Sequence, residues 1–91
     1  MSDACIILHA AYAESLADPA VAGVVRATAE EIAEHEGVAA PEVRVHPDRV
    51  ELRSPLPDTV LVAIASQLRR TTGRWHLAKY GSPLWQGQSG A

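Results

Sequence analysis

The spacing of apolar and polar residues changes period along this chain, and each change marks an element. Between residues 19 and 36, Val21, Val24, Val25, Thr28, Ala29 and Ile32 recur at intervals of three and four, which gathers them on one stripe of a helix. Arg26, Glu30, Glu31 and Glu34 fall largely outside that stripe. Asp18 is placed as an N-cap, Pro19 takes the first helical position, where its missing N–H costs nothing, and Gly37 stands as the stop. Over 42–53 the period drops to two. Val43 and Val45 alternate with Arg44 and His46, and Val50 and Leu52 with Arg49, Glu51 and Arg53, the pattern of a β-hairpin. If Pro47-Asp48 is a two-residue loop, Val45 faces Val50 and Val43 faces Leu52 on one side. On the other, Arg44 meets Glu51 and Glu42 meets Arg53, so apolar pairing and charge pairing select the same register. Pro47 fixes a negative φ, which excludes the mirror-image turn favoured in such loops and leaves a four-residue loop as the alternative.

After the break at Ser54-Pro55-Leu56-Pro57, a second helix opens at Asp58 or Thr59 and is expected to run to 72, with Gly73 as its stop. Residues 60–65 are apolar almost all the way round, the pattern of a helix buried at the centre of a domain. The two ends of the chain each admit two readings. In residues 4–16, Cys5-Ile6-Ile7-Leu8 suits a short buried strand, whereas the run from Ala10 to Glu14 favours helix, and the balance of propensity tips to helix. Residues 74–80 suit a final strand or a short helix. The expected fold class is therefore α+β: a hairpin (42–53) packed by two helices (19–36 and 58–72) in a single domain over 1–85, then a disordered tail over 86–91. Were both ends strands, the order would become βαββαβ, a ferredoxin-like sandwich.

A chain of 91 residues supports one core, and this one lacks Phe, so Ala and Val supply much of its apolar content. Small side chains contribute little burial energy each, so modest stability is expected, and association would add to it. The net charge of −3 conceals a division. Residues 1–48 hold nine carboxylates against Arg26 and Arg44, a net −7, and residues 49–91 hold six cations against Glu51 and Asp58, a net +4. That polarity suits a nucleic-acid or protein partner, or simply two halves that attract each other. The seven-to-one excess of Arg over Lys reads as the mark of a GC-rich bacterial genome. Cys5 is alone and forms no internal disulfide. The apolar run over 4–13 ends in Ala11-Tyr12-Ala13 but lacks a basic leader and carries His9, so it is not read as an export signal. No stretch is long enough for a membrane span, and a cytoplasmic location is expected.

Chemistry-bearing motifs are few. His46-Pro47-Asp48 resembles the His-Pro-Asp loop of J-domain cochaperones, but its flanks alternate like strands and no basic helix precedes it, so it is read as a hairpin turn. Glu31 and His35 lie four apart on one helix and could share a metal ion, yet the further ligands a structural site needs are not visible, and a solvated acidic face accounts for them. Ser15, Ser54, Ser66 and Cys5 lack any nucleophile-elbow context, and no Gly-rich phosphate loop is present. Neither an enzyme nor a cofactor-binding protein is expected, a small enzyme whose site does not show in the sequence being the last alternative.

The segment from Arg69 to Trp85 stands out. Arg69, Arg70, Arg74 and Lys79 interleave with Trp75, His76, Tyr80 and Trp85, and three of the chain's four aromatics fall within these residues. Trp, Tyr and Arg are favoured anchors of protein interfaces. The expected function is thus a protein-interaction module, self-association included, with its contact on the second helix and this segment. Single-stranded nucleic acid is the alternative partner, because phosphates seek Arg and Lys while bases stack on flat rings. A third reading places Trp75, Leu77 and Trp85 in the core, completing an interior short of large residues.

Overall fold

A computed structural model describes residues 3–88, and its elements run β1 (Ala4–His9), α1 (Pro19–Glu36), β2 (Glu42–His46), β3 (Arg49–Ser54) and α2 (Asp58–Tyr80). The class is α+β, a β-hairpin packed on two helices, with β1 completing a three-stranded antiparallel sheet of order β1-β3-β2. The hairpin takes the register that its two patterns select: Val45 opposite Val50, Val43 opposite Leu52, Arg44 opposite Glu51 and Glu42 opposite Arg53. The loop is the two-residue one, since His46 pairs with Arg49, and among the described residues none other than glycine has a positive φ. What holds this less favoured turn is packing from outside, because Ala10 N donates to Asp48 O at 2.9 Å and Leu16 N to Pro47 O at 3.0 Å.

The first end is a strand, contrary to the expectation of a helix. Ala4, Ile6 and Leu8 turn inward and Cys5, Ile7 and His9 outward, a period of two masked in the sequence by apolar residues on both sides. Pairing of all six residues with β3 outweighs the helix propensity of the alanines, which lie beyond the strand in a turn-rich connection. The second helix continues through Gly73 to Tyr80 and stops at Gly81, whose φ of 75° accompanies an N–H···O bond to Leu77. Residues 74–80 are therefore helix, and among the described residues no final strand follows. In its place an isolated antiparallel bridge joins Ala10 to Trp85. β1 and β2 flank β3 in the split β-α-β manner, so the chain has the ferredoxin-like order without its last strand.

α1 starts and stops as its capping residues dictate: the Asp18 carboxylate accepts from Ala20 N at 2.9 Å and Gly37 turns left-handed. Both helices cover the same face of the sheet. Val21, Val25, Ala29 and Ile32 of α1 meet Leu61, Ile64, Ala65 and Leu68 of α2 above Val50 and Leu52, and Leu16, Leu84 and Trp85 close the cluster. α2 is not apolar-buried all round, since Val62 and Ala63 face solvent. No helix among the described residues is long and apolar enough to cross a membrane.

Trp85 is the largest fully buried side chain, so Trp85→Ala should cost about 3–5 kcal/mol, a large share of what a domain this small has. Gly23 lies inside α1 with nothing within 4 Å of an added Cβ, and Gly23→Ala should stabilise by about 0.5–1 kcal/mol. Urea unfolding of the two variants beside the parent measures both signs.

Candidate functional site

Because α2 does not stop at Gly73, the residues from Arg69 to Tyr80 are distributed by a helical period, and they separate into an inner and an outer set. Trp85 and His76 are inner. Trp85 is 1% exposed, and its indole Nε1 donates to Thr72 Oγ1 at 3.0 Å. The Thr72 hydroxyl donates in turn to Leu68 O at 2.6 Å, so a buried polar chain runs from the Trp85 indole into the α2 backbone. His76 is 7% exposed, and its Nδ1 lies 2.7 Å from Ser82 O. A carbonyl only accepts, so that nitrogen carries the proton. Arg69 is half-buried and donates from Nη2 to Gln86 O at 2.8 Å. These three side chains fasten the C-terminal segment to the body.

The segment is also held from its other end. Gln88 Oε1 accepts from Leu84 N and Trp85 N at 3.2 Å each, and Gln88 Nε2 donates to Gly73 O at 3.0 Å. A Cβ on residue 73 would stand 2.7 Å from Gln88 Oε1, which explains a glycine inside a helix. The expected disordered tail is thus docked through Gln88, and residues 89–91 lie outside the described residues. Sequence reasoning missed Gly73 and Gln88 because their partnership spans fifteen positions and follows no period.

Arg70, Arg74, Lys79 and Tyr80 are outer, and Trp75 is half-buried between the sets. Arg70 and Arg74 lie one turn apart on the same stripe. Lys79 Nζ stands 5.5 Å from the Trp75 ring centroid and 5.7 Å from that of Tyr80, within reach of both π faces. The two rings meet edge to face at 5.9 Å and 87°, and Tyr80 also leans on His76 at 4.6 Å. Among the described residues, neither arginine nor Lys79 belongs to an ion pair. The carboxylates of α1 do not reach them. The polar link between the two helices is Gln67 Nε2 to Glu36 Oε1, at 3.3 Å.

The outer face of the sheet is polar except at Cys5 and Ile7 of β1. One row sets His9 beside Arg49 and Arg49 beside His46. Arg49 pairs with Asp48 at 2.8 Å and approaches Glu51 at 3.8 Å. His46 Nε2 is 3.2 Å from Glu51 Oε1 but is not aligned for a hydrogen bond. At the sheet margin the Glu42 carboxylate bonds Arg44 and holds that guanidinium above its ordinary pKa. The four histidines are not gathered together: His9, His35, His46 and His76 sit on four different elements. Among the described residues, no three His, Cys, Asp or Glu side chains stand close enough to hold a metal ion. Glu31 and His35 border a surface hollow of about 340 Å³ between the helices. No protein-family model matches the chain, and no curated protein matches it in sequence.

Replacing Thr72 by Val keeps the shape but leaves the Trp85 indole N–H buried without a partner. It should cost about 1–3 kcal/mol, read by urea unfolding, and loosen the contact of residues 84–88, read by hydrogen exchange of the Gln86 amide.

Proposed function

We propose that this chain is a non-catalytic protein-interaction module that takes an acidic segment of a partner on the outer stripe and last turn of α2. The observation that carries this reading is the state of three cations. Arg70, Arg74 and Lys79 are exposed and outside any ion pair among the described residues, while Lys79 is held over Trp75 and Tyr80. Arginine pairs carboxylates through two parallel N–H···O bonds, and Tyr, Trp and Arg supply contact area with little entropy to lose. The acidic stripe of α1 would repel the same partner, which directs it to one side of the molecule.

A nucleic-acid partner has less to stack on. Trp85 and His76 are occupied in the interior, and Lys79 already lies over the two remaining rings. The cations by themselves serve a phosphate backbone as well as a carboxylate, so the test sets the two against each other.

Fluorescence anisotropy with a labelled Glu-rich peptide and with a single-stranded oligonucleotide of equal charge, at about 50 and about 200 mM salt, compares them. The peptide should bind at low salt and weaken as salt rises, and the Arg70→Ala, Arg74→Ala double variant should lose about tenfold or more. Tighter binding of the oligonucleotide, lost in Tyr80→Ala, transfers the surface to nucleic acid. Absence of binding to both removes α2 as the contact.

A further inference from the structure

The edge of the sheet opposite β2 is built differently from β2 itself. Ala10 N bonds to Asp48 O across the sheet, whereas His9 O and Ala11 N bond outward, to Gln86 N at 2.9 Å and Leu84 O at 2.8 Å. Antiparallel ladders alternate, so even-numbered residues of β1 address β3 and odd-numbered ones address the outside. The N–H and C=O of Cys5 and Ile7 therefore point away from the sheet, and among the described residues they meet no backbone partner. On β2 one of the two outward carbonyls, Val43 O, is covered by Arg26 Nη1 at 2.8 Å, and Pro41 precedes the strand. β1 has no such protection: Ala4-Cys5-Ile6-Ile7-Leu8 contains no proline, no charge and no bulge. Exposed edges of that kind are the ones that pair with another chain.

We propose that a second copy of this chain adds to β1 antiparallel, about a twofold axis at Ile6. This is independent of the Arg70–Arg74 stripe of α2. The free stretch has the length and symmetry for it. The C-terminal segment pairs at Ala10, then turns at Gln86-Gly87, where Gln88 N bonds Trp85 O at 3.1 Å and Gly87 takes a φ of 77°, so it leaves the edge before Leu8. What remains is residues 4–8, centred on Ile6. Pairing Cys5 with Ile7 of the second copy, and Ile7 with its Cys5, joins all the outward groups of those residues in four hydrogen bonds and ends short of each Gln86.

The flanks agree. Ile7 is 45% exposed and Val62 of α2 is 52% exposed, and they border this edge from the open sheet face and from the helix side. Between β1 and α2 lies a hollow of about 390 Å³ lined by Asp3, Ala4, Cys5, Ile6, Asp58 and Val62. Its Asp3 and Asp58 make the end near Ala4 acidic, while Arg69 stands at the other end beside Gln86. A twofold axis brings the acidic end of each copy to the Arg69 end of the other. A second copy thus supplies the strand, the apolar cover and the opposite charge together.

Sedimentation equilibrium of the intact protein over about 1–200 μM tests this. The parent should approach twice its 9.7 kDa mass as concentration rises. Ile7→Pro removes an outward N–H without touching the ladder to β3, and it should run as a monomer with an unchanged circular-dichroism spectrum. Val62→Lys, at an exposed helical site, should do the same and stands in if the proline variant fails to fold. An equal mixture of the parent with a Cys5→Ser, Ile7→Cys variant should, on oxidation, cross-link unlike chains and not like ones, since directly opposed residues lie closer than the diagonally placed like residues. A parent that stays monomeric at every concentration, a dimer that survives Ile7→Pro or Val62→Lys, or cross-links between like chains each overturns the proposal. A dimer broken by Arg70→Ala, Arg74→Ala alone would overturn it in favour of the α2 surface.

Discussion

The burial of Trp85 is the contact on which the rest of the structure depends. A core drawn from Ala, Val, Leu and Ile leaves a gap that no residue of the five regular elements fills. The chain fills it with a side chain brought back from beyond α2. Trp85 is held through its side chain and its backbone alike. Its ring nitrogen binds Thr72, its backbone N–H binds Gln88, and its backbone sits in the bridge to Ala10. One residue thereby ties β1, α2 and the C-terminal segment together, and a small domain has little other margin on which to draw.

That solution shapes both surfaces. A fourth strand beside β1 would cover the core and also occupy the outward backbone groups of Cys5 and Ile7. Trp85 covers the core with a side chain and satisfies the edge only at His9 and Ala11. The interior is closed, and the strand stays open. On α2 the same arrangement draws Thr72, His76 and Arg69 inward and leaves Arg70, Arg74 and Lys79 outside. The buried side of the segment and its Arg70–Arg74 side are therefore one decision, made by the helical period once Gly73 lets the helix continue, while Lys79 is exposed because it lies in the last turn.

How much of this can be read from the sequence depends on whether the determining contacts are local. α1 is legible to its last residue because Asp18, Pro19 and Gly37 act through neighbours within one turn. The hairpin is legible because apolar and charged pairs, facing opposite sides, agree on one register. β1 is not, since Cys5 and Ile7 are apolar on the solvent side and hide the alternation, and its partner lies forty residues or more away. Gly73 misleads for a related reason. A glycine after a helical run is a stop unless something needs its missing Cβ, and here that is the Gln88 side chain. The aromatic and basic cluster is visible as a set, but its division between core and solvent required the phase of α2 relative to Trp85.

The charge division follows the same logic into function. Lys79 lies in the last turn of α2, where a cation suits the helix dipole, so its presence has a structural reason beside the proposed binding one. The carboxylates of α1 have no such reason. Glu30, Glu31, Glu34 and Glu36 crowd the last two turns, where the dipole is already negative, and Glu30 and Glu34 repel along one face. No described cation neutralises them. Local stability therefore runs against this arrangement, and its effect is felt at a distance. Two adjacent helices present opposite signs to solvent, which gives the molecule a lateral field that persists over roughly a Debye length of about 8–10 Å. That field would turn the acidic segment of the proposed interaction toward α2 and away from α1 before any contact forms. The acidic helix thus serves the proposed interaction by exclusion, at a small expense to its own stability.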